Sequence, residues 1–401
     1  MKLCIKIVTL VACVVKFHAC AEDARPIDES LFDFTRNLHQ EKSPSDTTEN
    51  LVLSPLGFNL LLGQIAAGAN PVLAEAIGKF LGWNKTNLTD IIDHHERLLL
   101  TYSSAKDDQD SLQIHINSAL FHREYINIQE EFRELLQKHY NTELISLREN
   151  ATDRENQKIV NDWVRNATES VIKDFPLSAN AIALFANVVY FNANWQEPFS
   201  HQLTRKGQFF STPEKIQNAT YLMGQQDILY MEEPQMNFKM IQLPYNSSKY
   251  NISMYILAPQ KHNLREIITQ MTLEKFLMYK AKMTLKTVNI KMPKLSLKSK
   301  IHIKDTLAKF MDNSTHEDFF ALSKVSSDSR SVLSDVVQES TFNVHEKGTT
   351  FASLSAGYIN YDGTARNCRV DKPYLAIILD DTTNVVLFWA SIYQPIVNSK
   401  N

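Results

Sequence analysis

The spacing of apolar residues changes along this 401-residue chain, and that change limits the fold more than any other feature. Up to about Leu147 the spacing is mostly helical, as in SLFDFTRNLHQ, the run from Pro55 to Ala69 and EEFRELLQKHY, with one strand-like segment, LQIHINSALFH. From Ala181 onward, short segments rich in β-branched and aromatic residues are bounded by Pro, Asn and Asp. Helices followed by strands, without a repeat or a flexible linker, predict one α+β domain.

Several of the later segments are apolar on both faces, which is typical of strands in a sheet that is covered on both sides. The later strand-like segments as a whole are IALFANVVYF, FKMIQLPY, YNISMYILAP, TVNIKMPKLSL, LAIILDD and NVVLFWASIY. In the helical part, Ser54 followed by Pro55 predicts the start of a buried helix, because serine caps a helix and proline suits its first turn.

The balance of charge disfavours two classes of partner. The chain has 42 basic and 45 acidic residues, which gives a net charge of -3. That charge leaves no field strong enough to indicate a nucleic acid or an anionic membrane surface. Another protein is therefore the expected partner.

The N-terminus predicts a secretory signal peptide over residues 1–21. A basic start at Lys2 and Lys6 is followed by an apolar run from Ile5 to Val15, and small residues Ala19 and Ala21 suit cleavage after Ala21. The apolar run is too short to span a bilayer, so we expect a secreted, extracellular product, with an uncleaved anchor as the alternative.

Three of the four cysteines, at positions 4, 13 and 20, lie inside that signal. Cys368 is then alone in the mature chain, so no internal disulfide is expected. We expect Cys368 to be a small buried hydrophobe rather than a pairing thiol.

The chain also carries eight Asn-x-Ser/Thr sequons, and none of them lies between Gly348 and Cys368. This distribution predicts a glycoprotein in which that C-terminal segment stays accessible. The predicted glycosylation sites are Asn84, Asn87, Asn150, Asn166, Asn218, Asn246, Asn251 and Asn313.

Several segments, in matching order and spacing, resemble the serpin (serine protease inhibitor) family across nearly the whole mature chain. The residues that carry the resemblance are Asn50, Ser54 and Pro55 in NLVLSPLGF, Asn161 and Trp163 farther on, Asn187, Phe191, Trp195 and Phe199 in FANVVYFNANWQEPF, and Pro395. QLPY, SMYILAP, HEKGTT and VDKPYLAIILDDTTNVVLF also match. Gly348 and Pro373 lie 25 residues apart, as in inhibitory members of the family.

The resemblance implies a single serpin domain over residues 22–401. Its fold would be α+β, with helices around three β-sheets, a large central sheet and an exposed reactive-centre loop at about residues 346–368. It places Trp195, Asn187, Gln338 and Ser54 in the region that admits the loop, with Gln338 and Trp195 near the point where the loop enters the sheet. It also places the helix that contains Asn161 and Trp163 on the surface of the central sheet.

The chain departs from the family pattern at several positions, although the aromatic and apolar residues around them match it. Gly57 stands where the family has Ser, and Ser391 stands where it has Arg. Ala193 and Ala390 stand where the family has Gly. Gln338 stands where the family usually has His, and Cys368 stands where it usually has Phe. These departures concern the energetics of loop opening rather than the fold.

The family mechanism requires a protease to cleave the loop and the freed segment to enter the central sheet as a new strand. Glu346, Lys347, Gly348 and Thr349 match the loop hinge. Phe351 is the misfit, because inhibitory members have small residues there. Overpacking the core with one ring costs about 1–3 kcal/mol. In contrast, each of about a dozen newly paired strand residues contributes on the order of 1 kcal/mol through its hydrogen bonds.

Insertion is therefore expected to remain downhill, but its rate is a separate matter. Each ~1.4 kcal/mol added to the insertion barrier slows it about tenfold, so Phe351 could turn an inhibitor into a substrate. The alternative is an ordinary loop residue that repacks locally.

Counting fifteen positions from Gly348 places the scissile bond between Asp362 and Gly363. Aspartate suits neither a trypsin-like pocket nor a chymotrypsin-like one, but a shift of one residue presents Tyr361, which a chymotrypsin-like pocket accepts. We therefore rank the bonds after Tyr361 or Asp362 first and cleavage after Arg366 second. A chymotrypsin-like extracellular serine protease is favoured over a trypsin-like one as partner.

Other chemistry is not indicated. The chain has no HExxH, GxSxG or P-loop string, so an enzyme of those classes is unsupported, and we expect no cofactor and no metal. His94 and His95 are adjacent, point to different helix faces and are expected to be exposed. We expect a monomer.

One basic stripe could bind a sulfated polysaccharide, although a solvated sheet face is the favoured interpretation. Its lysines stand at positions 286, 291, 294, 298, 300 and 304.

Two functions stay open from the sequence. The first is inhibition of a serine protease by covalent trapping, which the hinge and the loop length favour. The second is a non-inhibitory serpin that acts as a carrier, a decoy substrate or a binding protein, which Phe351, Leu354, Asp362 and Gln338 favour.

Overall fold

The fold is taken from a computed structural model. It describes residues 25–42, 49–83, 87–103, 112–168, 170–175, 177, 181–304, 307–308, 320–326, 332–349 and 365–395. The predicted signal peptide, two sequon asparagines and much of the predicted loop lie outside these residues. The site residues concerned are Phe351, Tyr361, Asp362, Gly363, Asn84 and Asn313.

Eight α-helices lie in the described part of the chain, and the three predicted from hydrophobic spacing are among them. They are α1 (Arg25–Lys42), α2 (Pro55–Gly68), α3 (Pro71–Leu81), α4 (Leu88–Ser103), α5 (Glu130–Tyr140), α6 (Asp153–Ala167), α7 (Leu264–Gln270) and α8 (Leu273–Lys282). A short 3-10 helix spans His201–Leu203.

Helix α2 begins as its sequence predicts. The Ser54 Oγ accepts a hydrogen bond of 3.1 Å from the Gly57 N–H, and Pro55 occupies the first turn. All residues of α2 are buried, because the helix is apolar on nearly every side and is enclosed by the fold.

The described residues form fifteen strands. They are β1 (Leu51–Leu53), β2 (Leu112–Arg123), β3 (Glu143–Leu147), β4 (Ala183–Asn194), β5 (Arg205–Phe210), β6 (Ile216–Glu233), β7 (Phe238–Pro244), β8 (Ile252–Pro259), β9 (Thr284–Pro293), β10 (Leu295–His302), β11 (Leu333–Val344), β12 (Gly348–Thr349), β13 (Arg366–Arg369), β14 (Tyr374–Asp380) and β15 (Val386–Ile392).

The central sheet has the order β10-β11-β4-β2-β3, with β12 also paired to β4. Strands β4 and β11 are parallel to each other, whereas β12 is antiparallel to β4. A strand that entered between β4 and β11 would therefore be antiparallel to both neighbours if it continued the direction of β12.

The remaining strands form a second hydrogen-bonded network in the order β1-β15-β14-β8-β7-β6-β9-β13, with β5 on β6. Strand β6 changes partner along its length: Tyr221–Tyr230 pairs with β9, and Tyr230–Glu233 pairs with β7. The network is thus two sheets that share β6. With the central sheet, this confirms the predicted α+β arrangement of helices around three sheets.

The two faces of the central sheet are covered by different layers. On one face, Phe185 and Val189 of β4 join the main core that contains α2. On the other face, Leu184, Ala186 and Val188 pack under α6. Strand β4 is apolar on both faces for this reason, and the helix that contains Asn161 lies over the sheet as expected.

None of the described helices is both long and apolar enough to cross a bilayer.

Candidate functional site

The boundary between β4 and β11, which we call the seam, organises the candidate site. Its pairing runs from Leu333 opposite Ala183 to Ser340 opposite Val189. Farther along β4, Ala193 and Asn194 pair instead with Thr349 and Gly348 of β12. The predicted hinge therefore already contacts the central sheet at one end of the seam.

At this end, three donors hold three successive hinge carbonyls. The Trp195 indole N–H donates to the His345 carbonyl at 3.0 Å. The Trp195 backbone N–H donates to the Lys347 carbonyl at 2.8 Å, and the Phe199 N–H donates to the Glu346 carbonyl at 2.7 Å. Stacking on Tyr245, with ring centroids 4.6 Å apart, holds the indole in place.

The Glu346 carboxylate is the charged centre of this end. Lys294 Nζ lies 2.9 Å from its Oε2, while the Thr204 hydroxyl at 2.9 Å and His201 Nδ1 at 3.3 Å lie by its Oε1. Burial alone would raise the pKa of Glu346, but hydrogen bonds from Lys294, its backbone and Thr204 lower the pKa to about 2. The carboxylate is therefore charged throughout the physiological range.

His345 precedes Glu346 and faces several charged groups. Burial, and after it the charge of Lys294, lowers the pKa of His345 to about 4. Glu346 acts in the opposite direction, and His201 and Lys347 add to the lowering. His345 is consequently neutral at pH 7. We call Trp195, Lys294, Glu346 and His345, with their partners, the hinge-end cluster.

Gly348 is the residue at which a side chain is excluded. Its φ of 134° lies in a region that L side chains rarely adopt. A Cβ there would lie 2.2 Å from the Ala193 carbonyl oxygen and 2.4 Å from the Asn194 Cα. Only glycine lets the hinge approach β4 this closely.

The other predicted insertion residues lie elsewhere on the seam. Gln338 of β11 is opposite Asn187 of β4, seven residues along β4 from Asn194. At about 3.4 Å per residue this is about 24 Å from the hinge end. The expectation that Gln338 and Trp195 lie together at the loop entry is therefore wrong for Gln338, because one continuous strand separates the two positions.

Gln338, Asn187, Ser54 and Gly57 instead form a buried seam-centre cluster. The Gln338 carboxamide accepts from the Ser54 N–H at 2.8 Å and donates to the Ser54 carbonyl at 3.0 Å and to Asn187 Oδ1 at 3.3 Å. The Asn187 amide in turn donates to Ser118 Oγ at 3.1 Å. The groups that meet here are neutral.

The C-terminal side of the loop is anchored to a different sheet. Strand β13 runs parallel to β9, with Arg366 opposite Val288. Burial raises the pKa of the Cys368 thiol to about 12, and the free thiol is buried, as expected for a small hydrophobe. Cleavage after Arg366 would require a protease to reach into a paired strand.

Six of the eight predicted sequon asparagines lie in the described part of the chain, and all six are exposed: Asn87, Asn150, Asn166, Asn218, Asn246 and Asn251. Exposure is what a glycan requires.

The exposure expected for His94 and His95 is wrong, because His94 is half-buried and His95 lies in the core. His95 is completely buried, with its Nδ1 3.0 Å from the Tyr140 hydroxyl and its ring edge-on to Trp83. Burial lowers its pKa to about 3. The preference for exposed histidines failed because α4 places this residue against α5 and α2.

One group of possible metal ligands exists in the described chain. Asp93, Glu96 and His139 place ligand atoms within 4.8 Å of one another, and Glu96 lies 2.7 Å from His139. The group is partly exposed and is accounted for by the hydrogen-bonding contact between Glu96 of α4 and His139 of α5. The sequence could not indicate it, because its members lie on two helices far apart in the chain.

The lysine stripe is largely occupied by internal contacts. Lys294 binds Glu346, Lys300 lies 3.5 Å from Glu339, and Lys291 lies over the Tyr221 ring at 4.2 Å. These contacts favour a sheet face over a polysaccharide site. Thr204 and Lys294 were missed as hinge residues because their partner Glu346 is remote in sequence.

Comparison with known proteins gives a consistent result. The family model described as Serpin (serine protease inhibitor) matches residues 29–395. Serpin A3-7 from Bos taurus is 22% identical over 383 residues, covering 93% of this chain and 89% of that protein. Serpin A12 from Rattus norvegicus is 24% identical over 381 residues, covering 93% and 90%.

Solved structures of similar fold include two human proteins. Thyroxine-binding globulin superposes with a TM-score of 0.81 at 19% identity, covering 92% of this chain and 99% of that one. Glycosylated kallistatin gives a TM-score of 0.80 at 20% identity, covering 92% and 97%.

Proposed function

Because the chain belongs to the serpin (serine protease inhibitor) family, we propose that it is a secreted inhibitor of an extracellular serine protease. It acts by loop cleavage, acyl-enzyme trapping and loop insertion. The observation that carries the proposal is the pairing of Gly348 and Thr349 with β4 at one end of the parallel seam.

The chemistry comes from the protease. Its serine oxygen attacks the carbonyl carbon of the scissile bond, the peptide C–N bond breaks, and the leaving nitrogen takes a proton as a new amino terminus. The inhibitor remains joined to the serine as an ester. Insertion of the cut segment must then outrun attack by water on that ester.

The inhibitor contributes the free energy of insertion. Residues that follow Thr349 would extend β12 along β4, and each gains hydrogen bonds worth on the order of 1 kcal/mol. Phe351 opposes this by about 1–3 kcal/mol if it faces the core. Extension of about a dozen residues leaves a large net gain.

The proposed scissile bond follows Tyr361 or Asp362, which favours a chymotrypsin-like protease. Support for this ranking comes from Arg366, which pairs with Val288 inside β13. We also propose that the protein is a monomer, that residues 1–21 are removed, and that exposed sequons carry glycans.

The deciding experiment uses the purified mature protein with trypsin-like, chymotrypsin-like and elastase-like proteases. We expect a complex that survives a denaturing gel with the chymotrypsin-like enzyme, and a thermal midpoint that rises by tens of degrees after nicking. A Thr349→Arg variant should instead be cleaved without trapping, because a charged side chain enters the sheet poorly. A wild-type chain that is only nicked, with an unchanged midpoint, contradicts the proposal.

A second candidate is a non-inhibitory carrier, decoy substrate or binding protein. It is favoured by Phe351 in the loop and by the structural similarity to thyroxine-binding globulin, whose name states a binding role. Nicking without a covalent complex, together with retention of a small ligand by the uncut protein, would support this function instead.

A further inference from the structure

We infer that Asp93, Glu96 and His139 form a binding site for a Zn²⁺ ion, which joins helices α4 and α5 in the uncut molecule. The site lies outside the seam and outside the predicted loop, so it does not depend on the proposed function. The sequence predicts no metal, and the site is a departure from that expectation.

Two helices bring the three side chains together. Asp93 and Glu96 stand three residues apart on α4, a spacing that puts both carboxylates on one face of the helix. His139 stands in the last turn of α5, and its ring contacts Glu96. One oxygen or nitrogen atom from each of the three side chains lies within 4.8 Å of the other two. The fold therefore presents three metal-binding atoms at one place.

The separation of these atoms suits a tetrahedral ion after small side-chain rotations. Zn²⁺ holds oxygen and nitrogen at about 2.0–2.2 Å, so two of its ligand atoms lie roughly 3.3–3.6 Å apart. Glu96 Oε2 and His139 Nδ1 are 2.7 Å apart and must separate slightly, whereas the Asp93 carboxylate must approach them. The side chains of Glu96 and His139 are 33% and 22% exposed, which leaves both of them room to turn.

Asp93 is the member of the group that the contact between the helices does not explain. The hydrogen bond between Glu96 and His139 accounts for those two side chains in the absence of an ion. Within the described part of the chain, the Asp93 carboxylate has no hydrogen bond and no ion pair. The Arg97 Nε–H donates instead to the Asp93 backbone carbonyl at 3.3 Å. Two carboxylates beside one histidine carry a net negative charge even when the imidazole is protonated, and a bound cation neutralises that charge.

The types of ligand atom decide which cation fits. Imidazole nitrogen suits zinc and its neighbours among the transition metals, whereas magnesium and calcium take oxygen ligands. Three protein ligands with a fourth position open to solvent form a coordination shell that Zn²⁺ commonly adopts. Because His139 supplies one of only three ligands, Mg²⁺ and Ca²⁺ should bind far more weakly than Zn²⁺.

The ion connects two parts of the chain that lead to neighbouring strands. Helix α4 is followed by β2, helix α5 is followed by β3, and these two strands pair in parallel. An ion held by both helices stabilises the folded state by mass action, since the unfolded chain does not hold the three ligands together. We therefore expect Zn²⁺ to raise the thermal midpoint and to slow hydrogen exchange in α4 and α5.

Titration calorimetry with Zn²⁺ tests the site on the purified mature protein, uncut and free of a histidine tag. We expect one Zn²⁺ per chain. Asp93→Asn keeps the size of the side chain and should bind Zn²⁺ about tenfold more weakly or worse, because even a residue that only orients a metal ligand is worth that much. Asp90→Asn, at an exposed position on the same helix, is the matched control and should bind like wild type.

His139→Ala tests the nitrogen ligand and should weaken Zn²⁺ binding by at least the same factor. Its control is His302→Ala. His302 Nδ1 lies 2.6 Å from Asp335, but in the described part of the chain no third metal-binding side chain joins this pair. Hydrogen exchange gives a second readout, in which Zn²⁺ should slow the amides of α4 and α5 in the wild type and leave those of β8 and β14 unchanged.

Three results would overturn the inference: no Zn²⁺ binding by the wild type, binding of wild-type strength in Asp93→Asn, or binding that is lost in His302→Ala. A thermal scan in the presence of a chelator separates lost binding from misfolding. Asp93→Asn should then unfold at the wild-type midpoint, because its carboxylate has no partner to lose. A midpoint that is already lower in chelator would contradict the site, since Asp93 would then have a role that needs no metal.

Discussion

The hinge end and the centre of the seam are closed by different chemistry. At the hinge end, Lys294 holds the Glu346 carboxylate, and Lys294 is itself 35% exposed. At the centre, Gln338 and Asn187 are neutral and almost fully buried. Charged contacts of the first kind respond to pH and salt, whereas amide contacts of the second kind do not. The seam therefore has one end that solution conditions can loosen and a centre that they leave intact.

The largest expected effect is at the hinge end. Lys294→Met removes the ammonium and leaves the buried Glu346 carboxylate with only its weaker contacts to Thr204 and His201, which we expect to cost about 2–3 kcal/mol. A thermal scan should show a midpoint lower by several degrees. Lys286→Met, at an exposed position on β9, is the control and should change little. Equal thermal midpoints for Lys294→Met and Lys286→Met would contradict the charged closure assigned to the hinge end.

At the seam centre, Asn187→Ala should cost about 1–2 kcal/mol. The substitution removes the acceptor for Gln338 and the donor to Ser118. Urea unfolding at pH 7 and at pH 5 should give the same loss, since no titrating group is removed. A loss that grows on acidification would mean that the centre is not neutral.

Acidification should weaken the hinge end in two steps. The pKa of His345 is lowered from 6.5 to about 4, so the unfolded chain binds the proton more readily and stability falls as the pH drops below 6.5. The pKa of Glu346 is lowered from 4.5 to about 2, so its contribution is full above 4.5 and is lost as the pH falls toward 2.

Each step is worth about 1–2 kcal/mol after allowance for solvent screening. Because His39 and His95 also have lowered pKa values, the pH dependence of stability is compared between the wild type and a His345 variant. Between pH 7 and pH 5, His345→Gln should lose less stability than wild type. An equal loss of stability in His345→Gln and in the wild type would contradict the step assigned to His345.

Salt should have the smallest effect. Raising the ionic strength from about 0.05 M to 0.5 M should weaken the pair of Lys294 and Glu346 by no more than about 0.5 kcal/mol. Hydrogen exchange near Trp195 and Glu346 should therefore quicken slightly, while exchange around Gln338 stays constant. Equal changes at both places would contradict the comparison.

Much of the fold could be predicted, because it depends on patterns that are local in sequence. The helical spacing of EEFRELLQKHY and the cap formed by Ser54 and Pro55 correspond to α5 and the start of α2. Strand β4 is apolar on both faces because it is covered on both sides. The resemblance to serpins supplied the arrangement of the sheets.

The contacts of the site could be predicted less well. Glu346 and Lys294 are distant in sequence and meet only because β11 ends beside the segment between β9 and β10. In the sequence Gly57 and Gln338 are separate departures from the family pattern, and their contact depends on how α2 lies against β11. The exposure expected for His95 failed for a similar reason, since Tyr140 comes from another helix.

The two anchors of the loop have a consequence for reversal of the cleavage. Before the predicted loop, β12 lies on the central sheet, and after it β13 is held to β9, with the Val370 N–H donating to the Lys291 carbonyl at 2.8 Å. If β12 grows along β4 from Ala193 to Ala183, its cut end travels about 34 Å while the other cut end stays with β9. The severed ends could then no longer meet, so no protease could rejoin them, and the encounter would run in one direction only.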